Sequence, residues 1–194
     1  MSDIKLLLQK RINKKHKAFI AEHIHLCEVF SDFNLTEIQG RSREDVVNKI
    51  NANVLKTTVK EFSDSLAKSA HPDMLSSYSA GELSKMKLFK VPGYNIGYAL
   101  KPMDNGAFDI VSVHNNEPDV KNIGEALIQS AIKNGGCYLD HFDTPKLSTL
   151  YQNMGFDEIS RDKFDPQYDP EASFRNKYGE ADIIYRKYKN CRGN

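Results

Sequence analysis

The chain has 194 residues, 40% hydrophobic and 27% charged, a composition that suits one folded domain with or without an extension and excludes a fibrous repeat or wholesale disorder. A formal net charge of +1 gives no overall attraction to nucleic acid or to an anionic membrane. The three cysteines, Cys27, Cys137 and Cys191, are odd in number and far apart, so their spacing draws neither a disulfide framework nor a zinc motif, and a reducing, cytoplasmic setting is expected.

From the start of the chain, Leu6, Leu7 and Leu8 are followed at once by Lys10 and Arg11, too short an apolar run for a signal-peptide core or a membrane span. Ile4, Leu7, Leu8, Ile12, Phe19, Ile20, Ile24 and Cys27 recur at steps of three and four, which predicts amphipathic helix over 3–30. Lys10, Arg11, Lys14, Lys15 and Lys17 form a basic face there, read as a solvated face or, less often, as a contact for an acidic partner. His23 and His25 sit two apart on a helix and point away from each other, so no metal is expected. A second helical stretch is expected over 43–69, opened by Ser42 with Asp45 three residues on. The first domain-level segment is therefore a helical region over 1–72, either an extension or the first helices of the domain.

Residues 71–84 are rich in Ser, Pro and Gly and read as a connector, after which the periodicity becomes extended. Strands are expected over 85–91, 94–100 and 108–113, separated by Pro92-Gly93 and Asp104-Asn105-Gly106, giving three successive antiparallel strands. A helix over 123–133 stops at Asn134-Gly135-Gly136, followed by a strand over 137–142. A helix over 145–154 opens at Thr144, and strands follow over 155–159 and 181–188. The order predicts an α/β domain over 85–189 with a mixed central sheet and flanking helices.

In such a unit the crevice between a strand's carboxyl end and the next helix start is the ligand position, here between Val113 and Gly124. The free amides of a helix's first turn suit a phosphate, and Gly124 permits close backbone approach. The most specific segment is Leu150-Tyr151-Gln-Asn-Met-Gly155-Phe156. With the order of elements around it, this segment resembles the GNAT N-acetyltransferase superfamily over 85–189, in the manner of members encoded by bacteriophages.

The resemblance implies acetyl-CoA as co-substrate, held in a V-shaped gap between parallel strands, its pantetheine pairing with backbone near Val111, Val113 and Asn115. It also implies that amides at Asn122, Ile123, Gly124 and Glu125 hold the pyrophosphate, although Asp119 and Asn122 depart from the family's glycine-rich loop. Tyr151 matches the usual acid position, and a phenol can protonate a departing thiolate. Its place in the stripe of Leu147, Leu150 and Met154 also fits simple packing. Asp109, His114 and Asp140 are the candidate bases, Asp109 or His114 acting through water in the leading scheme. Asp140 and His141 are candidates for holding a cationic acceptor, Asp143 for capping the helix at Pro145, and Phe164, Tyr168, Phe174 and Tyr178 for walling an acceptor pocket.

The activity implied is acetyl-CoA-dependent N-acylation of a primary amine, on a small molecule or a protein. The rival expectation is a catalytically inactive scaffold serving as a phage structural or partner-binding protein through its N-terminal helices. A nucleic-acid partner is a weaker third reading and a membrane is not expected.

Overall fold

The computed structural model describes residues 43–69, 72–169 and 171–191. The chain divides into two compact units, Met1–Leu35 and Thr36–Asn194, and every described residue belongs to the second. The helix expected over 3–30, its basic face and the capping residue Ser42 lie outside the described residues.

The stretch 43–69, expected to be continuously helical, is broken in two. Helix α1 (Arg43–Asn53) gives way to a short strand β1 (Leu55–Lys56), and α2 (Val59–Leu66) begins after it. The break follows local chemistry that the periodicity concealed. Thr58 accepts from the Glu61 amide at 3.2 Å while the Glu61 carboxylate accepts from the Thr58 amide at 3.3 Å, a capping box that restarts a helix in mid-pattern. The vacated residues Leu55 and Lys56 add to the sheet beside Lys90 and Phe89. The connector likewise contains a helical turn, α3 (Ala80–Leu83), opened by a second box between Ser79 and Glu82.

The remaining elements are β2 (Lys87–Lys90), β3 (Ile96–Pro102), β4 (Phe108–Asn115), α4 (Gly124–Lys133), β5 (Gly136–Phe142), α5 (Pro145–Asn153), β6 (Phe156–Asp162), α6 (Ser173–Tyr178) and β7 (Ile183–Tyr188). They form the expected mixed sheet with flanking helices, seven strands in the order β1-β2-β3-β4-β5-β7-β6, in which only the β4–β5 pair is parallel. Successive side chains of a strand face opposite sides. Ala99 packs with Leu88 and Val111 under Phe62 of α2 and Leu83 of α3, while neighbouring Tyr98 turns to α4, its hydroxyl 3.0 Å from Ser130 Oγ.

Two irregularities open the centre of this sheet. On β4 the register against β3 slips between the pairs Gly97–His114 and Ala99–Val111, so Tyr98 faces two residues, and Ser112 adopts a left-handed φ of 52°. On the other side, β4 and β5 pair only at Phe108–Gly136 and Asp109–Tyr138, and the strands part beyond those residues.

One expectation is corrected outright. Cys137 and Cys191 form a disulfide with Cα atoms 5.3 Å apart. Their separation of 54 residues hid the pairing. Antiparallel pairing sets Tyr138 beside Lys187, and a turn in which the Cys191 amide donates to the Tyr188 carbonyl returns Cys191 to the foot of β5.

Candidate active site

A cleft of about 730 Å³ occupies the opening between β4 and β5. β4 and its continuation supply residues 110–116, β5 supplies 139–142, and α5 contributes Lys146, Leu147 and Tyr151. The connector closes one side with Met74, Leu75 and Ser76, and Tyr178 of α6 reaches it from the insertion between β6 and β7. The expected site residues Val111, Val113, His114, Asn115, Asp140, His141 and Tyr151 therefore share one cavity.

Tyr151 is held by packing. Its ring lies 4.8 Å from that of His141 and 6.1 Å from that of Phe156, and the residue is 9% exposed. Its hydroxyl makes no hydrogen bond to the described residues. Burial, followed by the nearby charge of Asp140, pushes the phenol up to about 12, so it keeps its proton throughout the neutral range. Packing and chemistry thus coexist in this residue: the ring belongs to the core and the hydroxyl to the cleft.

The two histidines are engaged at both ring nitrogens. His114 Nδ1 donates to the Ser112 carbonyl at 2.9 Å, which leaves Nε2 to accept from Ser65 Oγ at 2.8 Å. His141 Nδ1 donates to the Phe142 carbonyl at 2.8 Å and Nε2 accepts from Arg186 Nε at 2.8 Å. Burial pushes both imidazoles below the usual histidine value, so both are neutral. Arg186, itself buried, also donates to the Phe156 carbonyl at 3.1 Å and so clamps β7 to β6 beneath Tyr151.

The carboxylates divide between the cleft and its closed end. Asp140 lines the cleft and is solvent-exposed, yet the surrounding protein desolvates it enough to raise its pKa above the usual carboxylate value. Asp109 sits where β4 and β5 still pair and does not line the cleft. Burial first, and the charge of Asp140 second, push it up to about 6. Asp143, expected to cap α5, instead accepts from Ser148 Oγ and Arg161, while Thr144 is the cap, accepting from the Leu147 amide.

Asn122, Ile123, Gly124 and Glu125 form the start of α4 and do not line the cleft. Asn122 takes a left-handed φ of 62°, which asparagine tolerates in a glycine's place. No side chain caps α4, and a Cβ on Gly124 would meet nothing within 4 Å. Glu117 is turned away from them, accepting from the backbone and side-chain amides of Asn95 at 2.5 and 2.8 Å.

In the insertion, Phe174 stacks against Phe142 at 4.3 Å and Tyr178 at 5.0 Å, with Phe164 beyond at 6.5 Å. These rings fasten the insertion to the end of β5, and of the insertion's own described rings Tyr178 lines the cleft, beside Phe142 of β5. The side chain of Tyr168 lies outside the described residues. Sequence reasoning missed Ser112 and the connector wall. Ser112 reads as an ordinary strand residue, because a bulge depends on the partner strand's register. Met74 to Ser76 carry no local signal beyond composition.

A seven-stranded mixed sheet with flanking helices, split between its parallel strands, matches the fold of solved GNAT acetyltransferases. Among solved structures, the chain is similar to an IAA acetyltransferase from Bacillus cereus, with a TM-score of 0.51 and 18% identity over 70% of this chain and 97% of that one. It is also similar to a GNAT family acetyltransferase from Elizabethkingia anophelis with acetyl-CoA bound (TM-score 0.44, 20% identity, 70% and 95% covered). An N-acetyltransferase from Staphylococcus aureus Mu50 gives a TM-score of 0.43 and 16% identity, with 70% and 95% covered. At these identities the likeness is one of fold. No protein-family model matches the sequence, and no curated protein does.

Proposed function

We propose that the chain is an acetyl-CoA-dependent N-acyltransferase acting on a primary amine. The observation that carries this reading is the Tyr151 hydroxyl, without a hydrogen-bond partner among the described residues, on the wall of the cleft that opens where β4 and β5 part. Acetyl-CoA would supply the activated acyl group as a thioester. The site fits such a molecule: β4 lacks a strand partner along the open split, and the uncapped start of α4 offers amides to a phosphate.

Asp140 takes the base role in this reading, relayed by water, because it lines the cleft whereas Asp109 does not and His114 has its lone pair occupied by Ser65. It accepts the proton released as the acceptor nitrogen forms its bond to the acyl carbon. Tyr151 gives its proton to the sulfur as the carbon–sulfur bond breaks, and burial that raises the phenol raises a thiolate in the same cleft too.

Calorimetry with acetyl-CoA tests the reading. Saturable binding below about millimolar concentration is expected, as in enzymes with ordinary substrate constants. No heat at millimolar acetyl-CoA would sink it. Tyr151→Phe should then reduce turnover by roughly 100-fold, the lower range for loss of a proton donor, while leaving acetyl-CoA affinity unchanged. Full activity in that variant would remove Tyr151 from the mechanism.

A further inference from the structure

Strand alternation sorts the walls of the cleft into two sides. Ala99 and its partner Val111 face α2 and α3. Two residues back along β4, Asp109 faces the same way, as does its partner Tyr138 on β5, and alternation carries that side on to Asp140 and Phe142. Ile183 of β7 is the register partner of Phe142 and shares its side. Tyr178 joins them through Phe174, whose ring meets those of both Phe142 and Tyr178. The connector lies on this side too, because Tyr78 packs against the cluster of Ala99 and Val111.

Leu139 and His141 face the other way, where the His141 ring meets that of Tyr151 on α5. Helix α4 lies there as well, reached by the Tyr98 hydroxyl at Ser130. Residues of both sides line one cavity, so the cleft passes through the sheet where β4 and β5 part.

The two ends differ in chemistry. The groups suited to the acyl donor, the uncapped start of α4 and the Tyr151 hydroxyl, belong to the α4 and α5 side. The connector end is walled by Met74, Leu75, Phe142, Tyr178 and Ile183 around Asp140. Among the described residues of the lining, Asp140 is the one carboxylate, and the one lysine or arginine is Lys146, which belongs to α5. Both histidines of the lining are neutral.

We propose that the acceptor enters from the connector side and is a primary amine carried on an uncharged, largely apolar body, such as an arylalkyl or branched alkyl amine. This rests on the acyltransferase reading above and names its substrate class. The apolar body takes the surfaces of Met74, Leu75, Phe142 and Ile183 out of water, while its single ammonium meets the single carboxylate. A polyamine brings further cations to a wall with no further carboxylate. An amino acid brings a carboxylate to a wall with no cation. Each leaves a charge unpaired in a desolvated place, which is costly. The chemistry is that already given: the ammonium first releases one proton to solvent, and the free amine attacks the acyl carbon through the gap between the strands. The base Asp140 and the acid Tyr151 then stand on opposite sides of the reacting carbon, each beside the group whose proton it handles.

The test uses the full chain, acetyl-CoA and four acceptors: 2-phenylethylamine, phenylalanine, spermidine and a lysine-containing peptide, with release of the CoA thiol as the readout. Phenylalanine is 2-phenylethylamine with a carboxylate added, so the pair isolates the charge. 2-Phenylethylamine is expected to exceed the other three in kcat/KM by about 100-fold or more. Leu75→Glu, at a half-buried connector position, adds a second carboxylate to the wall. It should raise kcat/KM for spermidine several-fold and lower that for 2-phenylethylamine. An unchanged ratio in a folded Leu75→Glu protein overturns the placement of the acceptor. Preference for phenylalanine, spermidine or the peptide overturns the substrate class, as does consumption of none of the four by a protein that binds acetyl-CoA; each of these leaves the acetyl-CoA site standing. Absence of acetyl-CoA binding by the wild-type protein overturns both.

Discussion

Around the cleft, burial acts with opposite signs on acids and imidazoles. His114 and His141 are pushed down and Asp109 and Asp140 up, because desolvation disfavours the charged form of each. The stability consequences oppose one another. An acid whose folded pKa is raised holds its proton more tightly in the folded state, so its ionisation progressively destabilises the fold as pH rises from the unfolded value to the folded one. For Asp109 that window runs from 3.8 to about 6. Asp109→Asn is therefore expected to stabilise the protein near pH 8, by up to about 3 kcal/mol at about 1.4 kcal/mol per unit, and to be close to neutral near pH 4. Urea unfolding at the two pH values measures this, and an equal effect at both would remove the linkage. The depressed histidines work the other way: their neutral forms contribute stability that is lost as pH falls below the ordinary histidine value through the folded one.

The elements owe their placement to close backbone approach as much as to side-chain packing. At Gly97 of β3 a Cβ would overlap the Phe89 carbonyl oxygen and stand 3.2 Å from His114 Cε1 and 3.3 Å from Lys90 Cα. The obstacle includes backbone on β2, which cannot swing aside as a side-chain tip can. Gly97→Ala is expected to cost more than about 3 kcal/mol, in the range of severe overpacking, and to disturb the β2–β3 pairing and the neighbouring bulge opposite Tyr98 together. Thermal unfolding and amide-exchange protection of β3 check it, and a near-neutral effect would contradict the geometry. The capping boxes operate at the same scale. Thr58–Glu61 and Ser79–Glu82 start helices inside segments whose composition suggested, respectively, an unbroken helix and a structureless connector.

Across the whole molecule, the disulfide between Cys137 and Cys191 ties the end of the last strand to the foot of β5, whose upper half walls the cleft. Closing a loop with a separation of 54 residues contributes about 4 kcal/mol in the chain-entropy account. Reduction, or Cys191→Ala, should lower the unfolding midpoint by roughly 8–16 °C, at about 2–4 °C per kcal/mol for a chain of this size. A midpoint unmoved by a dithiol reductant would show that the bond contributes nothing. Among the described residues no helix is long and apolar enough to cross a membrane. The order of strands and helices from β2 to β6, the last strand β7 and the tyrosine ahead of Gly155-Phe156 were legible in the sequence, because two-residue and 3.6-residue periodicities, turn residues and caps are local, whereas the helix α6 in the insertion was not. The start of α4 was legible for the same reason. The β1 addition, the Cys137–Cys191 pair, the connector's place in the wall and the strained Ser112 were not, since each depends on which distant strand lies alongside and in what register. The sequence by itself determined the α/β class and nominated Tyr151. Only the tertiary structure decided that His114 is pinned between Ser65 and Ser112, that Asp140 lines the cleft while Asp109 stays at its closed end, and that β4 and β5 part, because desolvation, hydrogen-bond saturation and register exist only once the chain has folded.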